Sequence, residues 1–372
     1  MKKIAPDPFF RTWVVKVGSS VLTNGGQGLA VDLVARWVND IVAVRKMGIQ
    51  VVLVSSGAVA EGMTRLGLKQ RPVSLHMLQA AAAVGQMGLI QLYESHFQKH
   101  QLHTAQVLLT HEDLKNRERY LNARSTMRNL LQLNVIPVVN ENDTVVTDEI
   151  RFGDNDTLAA LVANLIEAAK LVLLTDQQGL YQGDPSLHKE AELVAEISSG
   201  DPRLDRWAGE GGALGRGGMI TKVQAARIAA RSGADTHILQ GTEQEALLRL
   251  ARAESLGTLL RADREMMASR KRWLATLPSK GRLKLDQGAV RVLCEEGSSL
   301  LPVGVRSLSG IFTRGDLVSC VDEADREIAR GLINYSSDET ARLLGRPSQE
   351  IESVLSYRGE DELIHRDNLF LL

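Results

Sequence analysis

Residues 31–56 read VDLVARWVNDIVAVRKMGIQVVLVSS, and this stretch decides the fold. Its first part repeats apolar residues at helical spacing and stops at Gly48. Its second part, IQVVLVSS (49–56), is a near-continuous Val/Ile/Leu run, as expected of a strand buried on both faces of a sheet. The same texture continues on either side. TWVVKVG (12–18), AQVLLT (105–110), VIPVV (135–139), LVLLT (171–175) and DTHIL (235–239) read as further buried strands. SLHMLQAAAAVGQMGLIQLYESHFQK (74–99) and DTLAALVANLIEAAK (156–170) read as helices between them. Strand–helix alternation of this kind predicts a three-layer α/β domain with a mainly parallel central sheet.

The texture changes near residue 261. RADREMMASRKRWLATLPSK (261–280) is charge-rich and ends near Pro278, which predicts a helix and then a linker. Beyond it, short strand-like runs alternate with Gly and acidic turns, and DETARLLG (338–345) reads as a short helix. The expected division is a catalytic domain at 10–262, a linker at 263–280 and a small β-rich domain at 281–360.

Composition narrows the function. The 372 residues carry 44 Lys/Arg against 45 Asp/Glu, so no global basic field advertises nucleic acid or membrane. Residues 281–372 hold 11 Lys/Arg against 16 Asp/Glu, which makes that end acidic and argues against RNA binding there. Two cysteines rule out a disulfide framework and fit a reducing cytosol. The opening MKKIAPDPFF lacks the apolar core of a signal peptide, and no apolar run approaches a membrane span.

In a doubly wound sheet, ligands bind beyond the carboxyl ends of the strands. The first strand runs into VVKVGSSVLT, with Lys16 followed by Gly18, Ser19 and Ser20, a candidate anion cradle or a turn beside a solvated lysine. The second ends in Ser55, Ser56 and Gly57, either an anion site at a helix start or a serine N-cap. VVNENDTV and FGDNDTLAAL put Asn140, Glu141, Asn142, Asp143, Asp154, Asn155 and Asp156 within seventeen positions. Asp154 or Asn155 could cap the next helix, but one cap does not need seven such residues. LLTDQQGLY sets Thr175 and Asp176 at another strand tip. GEGGALGRGGMITK (209–222) leads a glycine-rich stretch into a helix with Lys222 in its first turn, a second phosphate-binding candidate or a surface loop. There is no G-x-x-x-x-G-K-[S/T], G-x-G-x-x-G, H-E-x-x-H or G-x-S-x-G. His111 beside Glu112 reads as a surface pair.

Taken in order and spacing, VVKVGSSVLT, VSSGAVAEG, VVNENDTV, FGDNDTLAAL, LLTDQQGLY and GRGGMITK resemble the amino acid kinase family. With RKRWL, EEGSSLLPVGV and SQEI they resemble its two-domain, glutamate-phosphorylating members, whose C-terminal domain is a PUA domain. The resemblance implies ATP-dependent transfer of the γ-phosphoryl group to the side-chain carboxylate of L-glutamate, giving L-glutamyl 5-phosphate, the first step towards proline. It also implies ATP as co-substrate, Mg2+, feedback inhibition by proline, a homo-oligomer (dimer or tetramer) and a cytoplasmic setting. It names no protein ligand for the metal. Lys16 and Lys222 match the two lysines on the transferring phosphoryl group. Asp156 matches the aspartate that orients them, with Asp154 as the alternative. Thr175, Asp176 and the run Arg216, Gly217, Gly218, Met219, Ile220, Thr221, Lys222 match nucleotide-binding positions. Ser56, Asp143 and Asn155 match glutamate-binding positions. Arg216 and Ile220 depart from the smaller or polar residues usual in the family. The lability of an acyl phosphate in water adds a glutamyl phosphate reductase as the expected recipient of the product.

Such a reaction suits the equipment. A side-chain carboxylate, with an unperturbed pKa of about 4.3, is already ionised at neutral pH, so no general base is needed. The obstacle is an anion meeting a polyanion, which two lysines can relieve.

Overall fold

The computed structural model describes residues 11–26, 28–147, 155–185, 190–209, 218–262 and 278–371. Two compact units emerge, one from residues 1–114 with 123–267 and one from 115–122 with 268–372.

The larger unit is built on eight strands: β1 (Thr12–Val17), β2 (Gln50–Val54), β3 (Thr104–Leu109), β4 (Ile136–Glu141), β5 (Lys170–Thr175), β6 (Glu196–Ser198), β7 (Asp235–Gln240) and β8 (Thr258–Arg261). They lie in the order β3-β4-β2-β1-β5-β7-β8-β6. Every pairing is parallel except β7 with β8. All six strands read from the sequence are present within two residues of their expected ends. β6 and β8 were not anticipated. With three and four residues at the far edge, they carry too little apolar periodicity to stand out.

Five helices matter for the site: α1 (Val31–Lys46), α2 (Ala58–Arg65), α3 (Leu75–Phe97), α4 (Asp156–Ile166) and α5 (Met219–Ala229). The chain moves one way across the sheet from β1 to β2 and the opposite way from β4 to β5. Right-handed crossovers therefore place α1 and α3 on one face and α4 and α5 on the other, giving the three layers. α1 and α3 pack together, as do α4 and α5. Trp13, Val15, Trp37, Ile41, Leu89, Tyr93 and Phe97 belong to the core between the sheet and the first helical layer. The expected helix at 156–170 is shorter. Ala163 O accepts from Ala168 N, Glu167 takes a left-handed conformation (φ 55°), and the chain re-enters the sheet at Lys170.

α2 and α3 approach unusually closely. A Cβ on Gly62 would lie 1.7 Å from Ala81 O, and one on Gly85 would lie 1.9 Å from Ala58 O. Only glycine admits that approach, and it fixes both helices where they border the carboxyl ends of β2 and β4.

The smaller unit carries a five-stranded sheet in the order β10-β9-β11-β12-β13, formed by β9 (Gly281–Leu285), β10 (Val305–Gly310), β11 (Leu317–Val321), β12 (Glu327–Leu332) and β13 (Leu369–Leu371). Only β9 with β11 is parallel. Its own core gathers Leu283, Leu293, Phe312, Cys320, Tyr335 and Leu363. Helix Gln287–Glu296, capped by Asp286 accepting from Ala289 N, was not expected; the helix read at 338–345 is present as Ser337–Leu343 with a Ser336/Glu339 capping box. The helix read within 261–280 falls mostly outside the described residues.

Candidate active site

The carboxyl ends of β1, β2, β4 and β5 meet at the point where the strand order reverses, and buried polar groups collect there. β1 delivers Lys16, whose side chain is 7% exposed. α5 delivers Lys222 from its first turn, at 8%. Between them stands Asp156, the first residue of α4, at 0%. Lys16 Nζ lies 2.5 Å from Asp156 Oδ1, and Lys222 Nζ lies 3.0 Å from Oδ2. Thr221 Oγ1 lies 2.9 Å from the same Oδ2 and 2.8 Å from Gly218 O.

The electrostatics follow from this geometry. Burial by itself would raise the Asp156 carboxyl, but Lys16 and then Lys222 outweigh it and hold the group well below the usual carboxylate range. Two ammoniums around one carboxylate leave a buried cluster with one net positive charge. That charge comes from residues 206 positions apart in the chain, brought to a single carboxylate.

A polar floor extends beside this cluster. Asn155 precedes α4 yet makes no side-chain cap; its Nδ2 donates instead to Ser55 O at 2.6 Å and to Asn140 Oδ1 at 2.7 Å. Asn140 Nδ2 donates to Gln86 Oε1 at 2.7 Å, and Asn140 Oδ1 also accepts from Glu141 N at 2.9 Å. Ser55 Oγ lies 3.2 Å from the buried Tyr93 hydroxyl. Burial pushes that phenol up to about 12, against the smaller pull of the Ser55 hydrogen bond, so it stays neutral. The Ser56 hydroxyl is buried and has no hydrogen-bond partner among the described residues. The N-cap alternative for these serines does not hold, because α2 starts from Gly57 in a left-handed conformation (φ 87°) with no side-chain cap.

Lys16, Lys222, Asp156 and Thr221 thus come together, and Asn155 joins Ser55 next to Ser56. Asp143 sits half-buried on the turn after β4. Thr175 is buried at the tip of β5, where its carbonyl accepts from Gly241 N at 2.7 Å and its hydroxyl lies 3.1 Å from Asp176 Oδ1. Asp176 is exposed. Gly218, Met219 and Ile220 open α5 and are half-buried. Arg216, Gly217 and Asp154 lie outside the described residues. His111 does not form a surface pair with Glu112 alone: its Nδ1 lies 3.5 Å from the buried Glu141 Oε2. Sequence reasoning singled out neither Gln86 nor Tyr93. A lone Gln or Tyr inside an apolar helix carries no pattern, and only the fold reveals what each faces.

Among the described residues no group of three or more His, Cys, Asp or Glu could hold a metal ion. Asp156, with a lysine on each oxygen, is poorly suited to be a direct metal ligand.

Comparison with known proteins gives the following. Residues 11–240 match the amino acid kinase family and residues 281–355 match the PUA domain. A glutamate 5-kinase of Chromohalobacter salexigens is 62% identical over 97% of this chain and 96% of its own length. One of Saccharophagus degradans is 61% identical over 97% of both chains. One of Nitrosospira multiformis is 61% identical over 97% of this chain and 98% of its own.

Proposed function

Because the chain belongs to the amino acid kinase family, among its glutamate 5-kinases, we propose that Lys16 and Lys222 jointly neutralise the phosphoryl group that passes from ATP to the side-chain carboxylate of L-glutamate. The observation that carries this reading is the shared Asp156 carboxylate, which holds both amines within 3.0 Å of its oxygens and so close enough to serve one phosphoryl group.

The steps follow from the residues. The γ-carboxylate attacks as it stands, being ionised near neutrality. Its approach to the triphosphate is tolerated because the lysine cluster holds a net positive charge in a poorly solvated place, where such charge acts strongly. Asp156 contributes by orientation: it fixes both side chains before substrate arrives, so little reorganisation is needed at the transition state. Thr175, Asp176 and the start of α5, with Gly218, Met219, Ile220 and Thr221, receive the nucleotide; Arg216 and Gly217 complete that run. Ser56, Asp143 and Asn155 receive glutamate, with Asp143 opposite its ammonium. Magnesium carried by the nucleotide would supply further shielding of the phosphate charge; no described carboxylate is assigned to hold it.

Residues 10–262 then form the catalytic domain and 281–360 the PUA domain, joined by 263–280. Proline acts as feedback inhibitor, the enzyme assembles as a dimer or tetramer in the cytoplasm, and a glutamyl phosphate reductase receives the labile product. No helix among the described residues is long and apolar enough to cross a membrane.

The test is ATP consumption with glutamate, aspartate, acetylglutamate, carbamate and UMP offered in parallel, with hydroxylamine trapping any acyl phosphate. Glutamate alone should give the hydroxamate. Turnover of another acceptor with none on glutamate would overturn the assignment.

A further inference from the structure

We propose that Gln86 is a positioning residue that, through Asn140, holds the Asn155 amide with its oxygen towards the substrate and so makes the site select an acceptor that carries an ammonium group. This rests on the reading of Asn155 as a glutamate-binding residue and explains how that residue could discriminate.

The orientation of each amide is forced by backbone groups at both ends of the chain of hydrogen bonds. Ser55 O can only accept, so the Asn155 atom 2.6 Å from it is Nδ2. Glu141 N–H can only donate, so the Asn140 atom 2.9 Å from it is Oδ1. Asn155 Nδ2 has two hydrogens, and both are taken, one by Ser55 O and one by Asn140 Oδ1. What Asn155 has left to offer a ligand is Oδ1, a pure acceptor. An ammonium satisfies it; a methylene does not. Asn140 Oδ1 meanwhile receives from Glu141 N and from Asn155, so its own Nδ2 must find an acceptor elsewhere. The atom that supplies it is Gln86 Oε1, at 2.7 Å.

Gln86 stands on a stiff support. It is 9% exposed, and Asn140 is 1% exposed. The preceding Gly85 rests directly against Ala58 O, so the backbone carrying Gln86 has little freedom. Removing the Gln86 oxygen would strand the buried Asn140 Nδ2. Asn140 could not recover by turning over, because that would set its Nδ2 against two donors, Glu141 N–H and Asn155 Nδ2. It would have to shift bodily and release Asn155 with it. A buried amide left unpaired is penalised far more than a satisfied one is rewarded. The disturbance reaches the substrate only where Asn155 Oδ1 meets the ammonium.

The test compares L-glutamate with glutarate, which has the same two carboxylates and no amine, in the full-length enzyme by hydroxylamine trapping. Gln86→Leu should lower kcat/KM for glutamate by about tenfold or more, mainly through KM, while glutarate changes by less than about threefold and the KM for ATP by less than about twofold. Gln86→Glu, which keeps an acceptor oxygen, should stay within about threefold of the wild type on glutamate. Equal losses on both acceptors would mean a merely structural role and would overturn the proposal, as would an unaffected Gln86→Leu or an equally damaged Gln86→Glu. Should Gln86→Leu not fold, Gln86→Met carries the same comparison. A wild-type enzyme that phosphorylates glutamate but does not prefer it to glutarate also overturns the proposal, whatever the variants do. A wild-type enzyme inert towards glutamate would instead overturn the functional assignment beneath it.

Discussion

Lys16 and Lys170 lie on adjacent strands at opposite ends of one sheet, and the two ends treat a lysine differently. Lys16 is buried against the Asp156 carboxylate, which Lys222 shares. Lys170 is half-buried at the start of β5, where its Nζ lies 3.0 Å from His237 Nε2 and over the Trp13 ring. Burial lowers the Lys170 pKa, Asp235 opposes the shift and Arg261 adds to it. Burial, then Lys170, then Arg261 push His237 down to about 3, so its ring is neutral and can accept from the ammonium. Residue type alone does not decide what such a cation can do; its partner matters. A carboxylate keeps charge concentrated and directed at one place. A neutral ring only tolerates it. The end of the sheet with the shared carboxylate is the end proposed above to receive the triphosphate.

Four substitutions at the shared-carboxylate end of the sheet test this contrast. The largest effect should come from Asp156→Asn, which leaves two buried ammoniums without a counter-charge. Turnover should fall by about a thousandfold or more, and stability by about 3–5 kcal/mol, as expected when one partner of a buried ion pair is removed. Hydroxamate formation and denaturant unfolding check the two parts. Next, Lys16→Ala and Lys222→Ala should each lower kcat by at least about a hundredfold in a folded protein, consistent with about 4 kcal/mol of Coulomb energy per charge at close range. Near-normal turnover in either would remove that lysine from the mechanism. Asp143→Asn should raise the KM for glutamate by about tenfold, the order expected of one lost charged hydrogen bond, and leave the KM for ATP nearly unchanged. A shift in ATP affinity instead would mean that the acceptor pocket has been misplaced.

The smallest effect on turnover belongs to the other end of the sheet. Lys170→Met should keep kcat within about twofold, since no step uses that amine. His237 should show itself in stability alone. Its pKa is lower in the folded protein than the unfolded value of 6.5, so its contribution is complete above pH 6.5 and is lost as the pH falls towards 3. At pH 5 the loss should be about 2 kcal/mol relative to pH 7, and His237→Phe should flatten that part of the unfolding profile. An unchanged profile in the variant would show that the ring is not held neutral.

The contrast also marks what could be read from the sequence. Continuous apolar runs betray doubly covered strands, so the six central strands and the three-layer architecture were legible. β6 and β8 were not, because three or four residues at an edge show neither period. Lys16, Lys222 and the acidic cluster around Asp156 could each be found, since each follows a strand or opens a helix. Their meeting was implied only by the family resemblance, which favoured Asp156 over Asp154; spacing alone could not show it, because it depends on β1, α4 and α5 converging across 206 positions. Asn155 could be read as a helix cap or as a binding residue, and it makes no cap but joins the polar floor. Gln86 and Tyr93 left no trace in the sequence, because what makes them matter is the partner each faces from α3.

The most direct measurement is a crystal structure with MgADP, aluminium fluoride and L-glutamate, where the fluoride stands for the phosphoryl group in flight. Lys16 Nζ and Lys222 Nζ should both lie about 3 Å from fluorines of the same group, with Asp156 still between them. Either amine lying beyond hydrogen-bond reach of that group would rule out a phosphoryl group shared by the two lysines.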